Sequence, residues 1–422
     1  MSEGEASACP DGFIAVRKGE LADAIAAADG LPQGESQALG DVLKVLGALL
    51  QYEAQERLDA LKALYDPLDP DAPAARRNMT PAALDAFEAA LVDALTRANF
   101  AEIDHDTVRT RETTKLLTGL SIKPSHAGIR RIRFFARGVR PEKIALRTWL
   151  GVRTRNIDAE VMADVVVLVG FKADAEVGRT DRTAFTRMRR GVRPGATLIK
   201  HFRNVAAAEL VTLHPGARPS MRPRDQVVLA APAIVAGAPV LLNLWPALTV
   251  IFAVLATYFG ARGVIEQSDL RRALAAASGL IAVGAFVMRQ RLKYETQTLR
   301  YQKRLADTVY FRNLANNTGV IDLVVGAGEE QDVKEAFLAY WALRRAGGAL
   351  TRDEIDAAAE GFLRERFGLD VDFEVGDALA KLERLELITR EGDHVSAIPP
   401  AEALAKLDAR WDGLFNFTHA PG

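Results

Sequence analysis

Cysteine, metal-ligand spacings and nucleotide-binding motifs are scarce in this sequence. Its 422 residues contain one cysteine, Cys9, which excludes an intramolecular disulfide and a cysteine-ligated metal or iron–sulfur site within them. The six histidines occur without HxxxH or HExxH spacing, and neither a phosphate-binding loop nor a nucleophile elbow is found. We therefore expect no cofactor and no metal. Catalytic residues stay unknown, and an enzyme is not the favoured interpretation.

Charge is missing over two long runs, although 26% of the chain is charged. Residues 226–261 and 273–288 contain no Asp, Glu, Lys or Arg. About 20 apolar residues are enough to cross a hydrocarbon core of ~30 Å as a helix. The runs therefore predict a transmembrane helical hairpin at 226–290, with spans near 238–260 and 270–288. The alternative is a buried helical pair inside a large water-soluble fold.

The positive charges beside this hairpin predict its orientation. Nine Lys and Arg residues flank the hairpin, against three in the turn between the spans. Because basic residues stay on the cytoplasmic side, both large domains and both termini are expected in the cytoplasm. The predicted location is a membrane, with two spans, and specifically a bacterial inner membrane.

The rest of the chain divides into segments of different periodicity and charge. The expected fold class is an α+β membrane protein, in which each domain has its own pattern. The predicted domains are a helical N-terminal domain (1–108), a basic α+β domain (109–225), the hairpin (226–290), a polar helical connector (291–328) and an acidic winged-helix-like domain (329–422). In the last, three helices precede a short hairpin, and Glu330, Lys334 and Glu335 are expected on an exposed helix face.

The basic block is the strongest indication of a binding surface. Residues 109–224 contain 25 Lys and Arg against 9 Asp and Glu, and Arg-Gly-Val-Arg-Pro occurs twice, at 137–141 and 190–194. Such a block is attracted to anionic headgroups, so a lipid bilayer is the first expected partner. The candidate contacts with anions or headgroups are Arg137, Arg140, Arg190, Arg193, Lys200 and Arg203. Alternatively, these cations pair with acidic residues of the same chain.

The acidic tail indicates a second partner. Residues 329–422 contain 11 Lys and Arg against 20 Asp and Glu. We expect an unknown protein partner at this tail, and self-association stays open. Nucleic acid is not favoured, because few aromatic residues lie between the cations of the basic block.

Several segments resemble one known family. They are Tyr294–Gln302, Glu329–Ala336, Phe134–Gly138 and Ile199–Val205. The segments resemble the transmembrane protein 143-like family, which shares a domain of unknown function and occurs in bacteria, plants and animal mitochondria. The resemblance extends over roughly residues 10–412 and identifies the chain as a bacterial member. It implies two transmembrane helices and a membrane location, but no activity.

The function predicted from these features is that of a membrane-anchored scaffold or interaction protein of unknown biochemical activity. One alternative is a membrane-associated enzyme for an anionic lipid or phosphate-bearing substrate, with Arg137, Lys200, His201 and Arg203 at its site. The other is a membrane-tethered regulator that binds DNA through the winged-helix-like domain. The acidic charge of that domain argues against the regulator.

Overall fold

The computed structural model divides the chain into two compact units. The described residues are 12–28, 30–31, 34–73, 80–104, 121–123, 125–148, 153–189, 192–220, short stretches between 248 and 310, and 311–415. The first unit comprises Met1–Arg111, His126–Leu210 and Arg312–Gly422, and the second comprises Glu112–Ser125 and Val211–Phe311. Residues from both ends of the chain thus share one unit. The predicted domain limits stay predictions.

The helices of the first unit follow the apolar spacing of the sequence. They are α1 (Lys18–Ala26), α2 (Glu35–Tyr65), α3 (Pro81–Arg97), α4 (Arg182–Arg189), α5 (Thr318–Ala346), α6 (Arg352–Phe367), α7 (Val375–Arg384) and α8 (Pro400–Gly413). In α2, Leu39, Val42, Leu43 and Leu46 recur at three- and four-residue spacing and are all buried. Helix α3 begins where the side chain of Thr80 accepts the N–H of Ala83, one turn into the helix.

An antiparallel sheet forms the other half of the first unit. Its strand order is β1 (Ala101–Glu102), β3 (Ile129–Thr148), β4 (Arg153–Phe171), β5 (Thr197–Ala206) and β7 (Asn313–Asn316). Strands β3 and β4 form a long hairpin, and a 3-10 helix at Ala207–Leu213 follows β5. The apolar run from Val165 to Val169 lies in β4 and is buried on both faces of the sheet. Buried β-branched residues are typical of a central strand.

Three short strands lie among the C-terminal helices. They are β8 (Leu350–Thr351), β9 (Ile388–Glu391) and β10 (His394–Ala397), in the sheet order β8, β10, β9. Helix α6 begins with a capping box, in which Thr351 and Glu354 satisfy each other's backbone N–H groups. From α5 to β10 the order is helix, strand, helix, helix, strand, strand. This is the order of a winged helix.

Helix α5 joins the two hydrophobic cores of the first unit. Its early residues, including Val320 and Val324, pack with α3 and the sheet. Its later residues, including Phe337 and Trp341, pack with α1, α2, α6 and α7. A helix covered on every side must bury whatever polar residues it carries. This position explains the buried charges described below.

The described part of the second unit contains a two-stranded sheet and short helical stretches. Strand β2 (Ser121–Lys123) pairs with β6 (Arg218–Ser220) in antiparallel register. Described residues at 284–289 and 291–296 are helical.

The predicted transmembrane hairpin is wrong. Within the described part of the chain, no helix combines the length and the apolar content needed to cross a bilayer. Helices α2 and α5 are long enough, at 31 and 29 residues, but each carries eight charged residues. The predicted spans at 238–260 and 270–288 lie largely outside the described residues. A mixed α/β chain therefore replaces the predicted α+β membrane protein.

The predicted location is corrected for the same reason. Orientation in an inner membrane, with both termini in the cytoplasm, depended on two spans. An uncharged run supplies the composition of a span, but a span also needs a continuous apolar helix. The prediction was based on composition and on the family resemblance, and neither shows that a helix of this kind forms.

Candidate functional site

The predicted anion contact Arg137 is buried and bound to protein groups. It lies on β3, directly opposite Asp164 of β4, which lies opposite Arg203 of β5. Its Nε and Nη2 donate to Asp164 Oδ2 over 3.0 and 2.9 Å, and its Nη1 donates to the carbonyl oxygen of Ala98 over 3.0 Å. The guanidinium also stacks on the ring of Phe13, 4.3 Å from its centroid. Its charge is therefore engaged within the fold.

Three further candidate residues are described in the first unit. Arg193 donates to the carbonyl oxygens of Asp69 and Pro70 and thus fixes the turn after α2. Arg140 is exposed and donates to the side chain of Asn204. Arg203 is 62% exposed, with its Nε 3.8 Å from Asp164 Oδ1. Arg190 lies outside the described residues. The prediction that these residues contact an anion stays a prediction.

Lys200 and His201 project from opposite faces of β5, because side chains alternate along a strand. Lys200 is half-buried, and burial lowers its pKa. His201 and Arg203 share the face that carries Asp164. The four residues proposed above to line an enzyme site are thus not brought together on one face.

Asp164 and His201 form a buried acid–histidine pair. His201 Nε2 lies 3.0 Å from Asp164 Oδ1, and both side chains are less than 10% exposed. Burial alone would raise the pKa of Asp164, but the His201 hydrogen bond and the Arg137 charge outweigh it and lower that pKa. His201 Nδ1 is buried without a hydrogen-bond partner among the described residues. A carboxylate that orients an imidazole is a catalytic arrangement when substrate can reach the imidazole, and burial restricts that access here.

A second set of buried polar groups lies in the middle of α5. Gln331 accepts the N–H of Ile14 over 3.1 Å and donates to its carbonyl oxygen over 3.3 Å. Lys334 donates to the carbonyl oxygens of Ile14 and Val16 over 2.6 and 3.0 Å. Burial lowers the pKa of Lys334 to about 8. This face of α5 therefore holds the extended segment before α1 through its backbone.

Carboxylates of α5 pair with cations from α7 and α2. Lys381 of α7 donates to Glu335 over 2.6 Å and lies 2.7 Å from Asp332, and Arg57 of α2 lies 3.2 Å from the same Asp332. Burial raises the pKa of Glu335 to about 7, because the Lys381 charge offsets only part of the desolvation. The expectation of an exposed face was wrong for Lys334 and Glu335, which are 2% and 3% exposed.

These ion pairs hold α7 against the inside of the first unit. Arg384 at its end donates to both carboxylate oxygens of Glu53 on α2, over 2.5 and 2.8 Å. Apolar residues of α7, such as Leu379 and Leu382, lie in the core with α5. The third helix of a winged helix is the one that enters a DNA groove. Here one face of that helix is buried against α5, and Asp377 lies on its exposed face.

The side chains left on the surface beside α7 are mostly acidic. We call the following group the acidic ridge: Asp353, Asp356, Glu360, Asp372, Glu374 and Asp377. Burial first, and then the charges of Glu360 and Asp372, raise the pKa of Asp356. Burial and the charge of Asp377 raise the pKa of Glu374. Like charges are therefore held close together along this ridge.

One family model matches the chain. Residues 163–319 match a family described as "Protein of unknown function (DUF3754)". The matched segment extends from β4 into the first turn of α5. No solved structure matches the chain. A domain of unknown function is thus shown over these residues. The finer resemblance to the transmembrane protein 143-like family, and the bacterial origin, stay predictions.

The long-range polar contacts of α5 were not found from the sequence, because their members are far apart in it. Lys334 and Ile14 are separated by 320 residues, and Asp332 and Arg57 by 275. The short spacing of Glu335 and Lys334 on one helix is equally typical of an exposed face. A signal was nevertheless present, since large apolar residues follow directly at Phe337 and Trp341.

Proposed function

We propose that the protein is an interaction protein, or scaffold, that binds a cationic polypeptide partner on the acidic ridge. The observation that supports this proposal is the acidic surface that α7 and its neighbours leave exposed. The helix that a winged helix uses for nucleic acid exposes Asp377, and the surface around it carries the other five carboxylates of the ridge. Between residues 350 and 412 the chain has 16 acidic and 8 basic residues. A surface of this charge repels nucleic acid and attracts polypeptides rich in Lys or Arg.

The electrostatics of the ridge favour a cationic ligand. The carboxylates of Asp356 and Glu374 have raised pKa values because they are partly buried beside other acids. A positive group close to these carboxylates would relieve that repulsion. This relief would contribute favourably to the binding free energy. Arg352 and Lys381 supply some compensation, through their charges on Asp356 and Glu374 respectively.

The other two functions predicted from the sequence have less support. A DNA-binding regulator would need available cations on α7, whereas Lys381 is buried against Glu335 and Arg384 is paired with Glu53. An enzyme built on Arg137, Lys200, His201 and Arg203 would need these side chains on one accessible face. Interaction through the ridge requires no rearrangement of the described residues.

A binding measurement with matched variants tests the proposal. The probe is a short fluorescein-labelled oligolysine, measured by fluorescence anisotropy at low ionic strength. The double variant Asp372→Asn/Asp377→Asn removes two exposed ridge charges and should weaken binding roughly fivefold. The control is Asp408→Asn/Asp412→Asn, which makes the same charge change on exposed positions of α8.

The two variants separate ridge binding from attraction to net charge. Equal weakening in both would mean that the oligolysine responds to total charge, and the proposal would be rejected. Binding that is unchanged in the ridge variant would also reject it. Circular dichroism of each variant establishes that the fold is kept.

A further inference from the structure

A cleft lies between α2, α3 and α5, and its lining residue Arg97 is within electrostatic reach of Asp377 of the acidic ridge. Its volume is about 180 Å³, and we call its large apolar lining residues, Leu61, Leu64 and Val325, the floor. Ala90 and Ala94 of α3 stand on one wall, and their short side chains leave the space unfilled. A closed apolar cavity of about 150 Å³ is large enough for a benzene molecule. The cleft therefore has the size for one aromatic ring or a short aliphatic chain.

The rim of the cleft is charged and reachable from solvent. Arg57 and Arg97 line it with side chains that are 34% and 38% exposed. Leu64 of the floor is itself 38% exposed. An apolar floor with a few polar groups at the mouth is the usual composition of a small-molecule site.

The hydrogen bonds that the charged residues of the rim already make indicate whether a ligand would be an anion or a cation. Both carboxylates of the rim already have cations: Asp93 accepts from Arg97 over 3.0 Å, and Glu329 accepts from Lys18 over 2.7 Å. Each guanidinium has five N–H donors. Among the described contacts, Arg57 uses Nη2 towards Asp332 and Arg97 uses Nε towards Asp93. Unused donors therefore exceed unused acceptors at the mouth.

We propose that this cleft binds a small amphipathic anion, a carboxylate carried on one aromatic ring or short alkyl chain. The apolar part fills the space beside Ala94, and the carboxylate accepts hydrogen bonds from Arg57 and Arg97. Guanidinium groups bind carboxylates through paired, charge-assisted hydrogen bonds. No residue of the acidic ridge lines this cleft, and the proposal is independent of the proposed function.

Three probes of similar size test the ligand class. Benzoate, benzamide and benzylammonium carry a negative, a neutral and a positive group on the same ring. Ligand-detected NMR titration of the full chain should give benzoate a dissociation constant of about 1 mM, a typical value for so small a ligand. Benzamide should bind more weakly and benzylammonium most weakly. Benzylammonium binding as tightly as benzoate, or no binding by any probe, would overturn the proposal.

Substitutions of residues that line the cleft test whether benzoate binds there. Ala94→Leu fills the space and should abolish benzoate binding, whereas Ala89→Leu, an exposed position of the same helix, should leave it unchanged. Arg97→Gln should weaken benzoate roughly tenfold but benzamide much less. Its partner Asp93 is exposed, so this variant leaves no buried charge unpaired.

The outcome for the filled variant decides the location. Benzoate binding that survives Ala94→Leu would show that it binds elsewhere. If that variant does not fold, Ala60→Leu fills the same cleft from α2 and replaces it. A result in which the acidic ridge fails to bind oligolysine while benzoate still binds the cleft would leave this proposal standing alone.

Discussion

Lys381 of α7 donates to Glu335 of α5 over 2.6 Å, in an ion pair that is almost completely shielded from solvent. The same ammonium group lies 2.7 Å from Asp332. Three charged side chains from two helices are therefore paired inside the first unit. Because this pairing holds α7 inward, it decides which surface of the C-terminal helices meets a partner.

Removing Lys381 should be strongly destabilising. Lys381→Met leaves Glu335 and Asp332 buried without their shared cation, and breaking a buried pair from one side typically costs about 3–5 kcal/mol. Urea denaturation at neutral pH measures the free energy of unfolding. The double variant Lys381→Met/Glu335→Leu removes both members and should recover much of the loss. A double variant that is less stable than Lys381→Met would contradict this account.

Glu335 should make stability fall as pH rises from about 4.5 to about 7. Its folded pKa is raised to about 7 from its ordinary value of 4.5, so between these values the folded chain holds a proton that the unfolded chain has lost. The stabilisation is complete below the unfolded pKa and is lost as the pH rises through the folded pKa. The total change in the free energy of unfolding is on the order of 3 kcal/mol. In Glu335→Gln this component should be absent. Parallel pH profiles for the variant and the parent protein would refute it.

Lys334 should have the opposite influence at higher pH. Its folded pKa is lowered to about 8 from 10.5, so the unfolded chain binds more protons between these values. Stability should therefore rise with pH across that window, and the rise should be missing in Lys334→Met. Thermal denaturation between pH 8 and 10.5 provides the comparison. If the variant shows the same rise, other groups cause it.

Replacing Asp164 should lower the free energy of unfolding far more than replacing the exposed Arg203 beside it. Asp164→Asn leaves the buried guanidinium of Arg137 without its carboxylate, which should cost about 3–5 kcal/mol. Arg203→Gln changes a 62% exposed side chain 3.8 Å away and should cost less than about 1 kcal/mol. Chemical denaturation of both variants makes the comparison. Similar losses in the two would mean that Arg137 does not depend on Asp164.

Local patterns in the sequence predicted individual elements better than they predicted the arrangement. The spacing of Leu39, Val42 and Leu46 is that of a helix, and these residues lie in α2. The run from Val165 to Val169 has the composition of a buried strand, and it lies in β4. Such patterns depend on neighbours within a few residues, so a single sequence contains the information.

Long-range pairings could not be predicted in the same way. The position of Lys334 beneath Ile14 depends on α5 being covered on all sides, which no local pattern reports. The transmembrane hairpin failed for a related reason, since absence of charge describes composition and not a continuous helix. Of the six cations proposed as anion contacts, Arg137 and Arg193 bind groups of the protein that lie far away in the sequence.

Hydrogen–deuterium exchange of the full chain with and without oligolysine tests the central claim most directly. The account predicts that oligolysine slows exchange of backbone amides within 353–377, along the acidic ridge, and leaves the β9–β10 hairpin unchanged. The hairpin is a suitable internal reference, because it belongs to the same group of C-terminal elements and is also exposed. Protection of the hairpin without the ridge, or no protection of either segment at saturating oligolysine, would contradict the account.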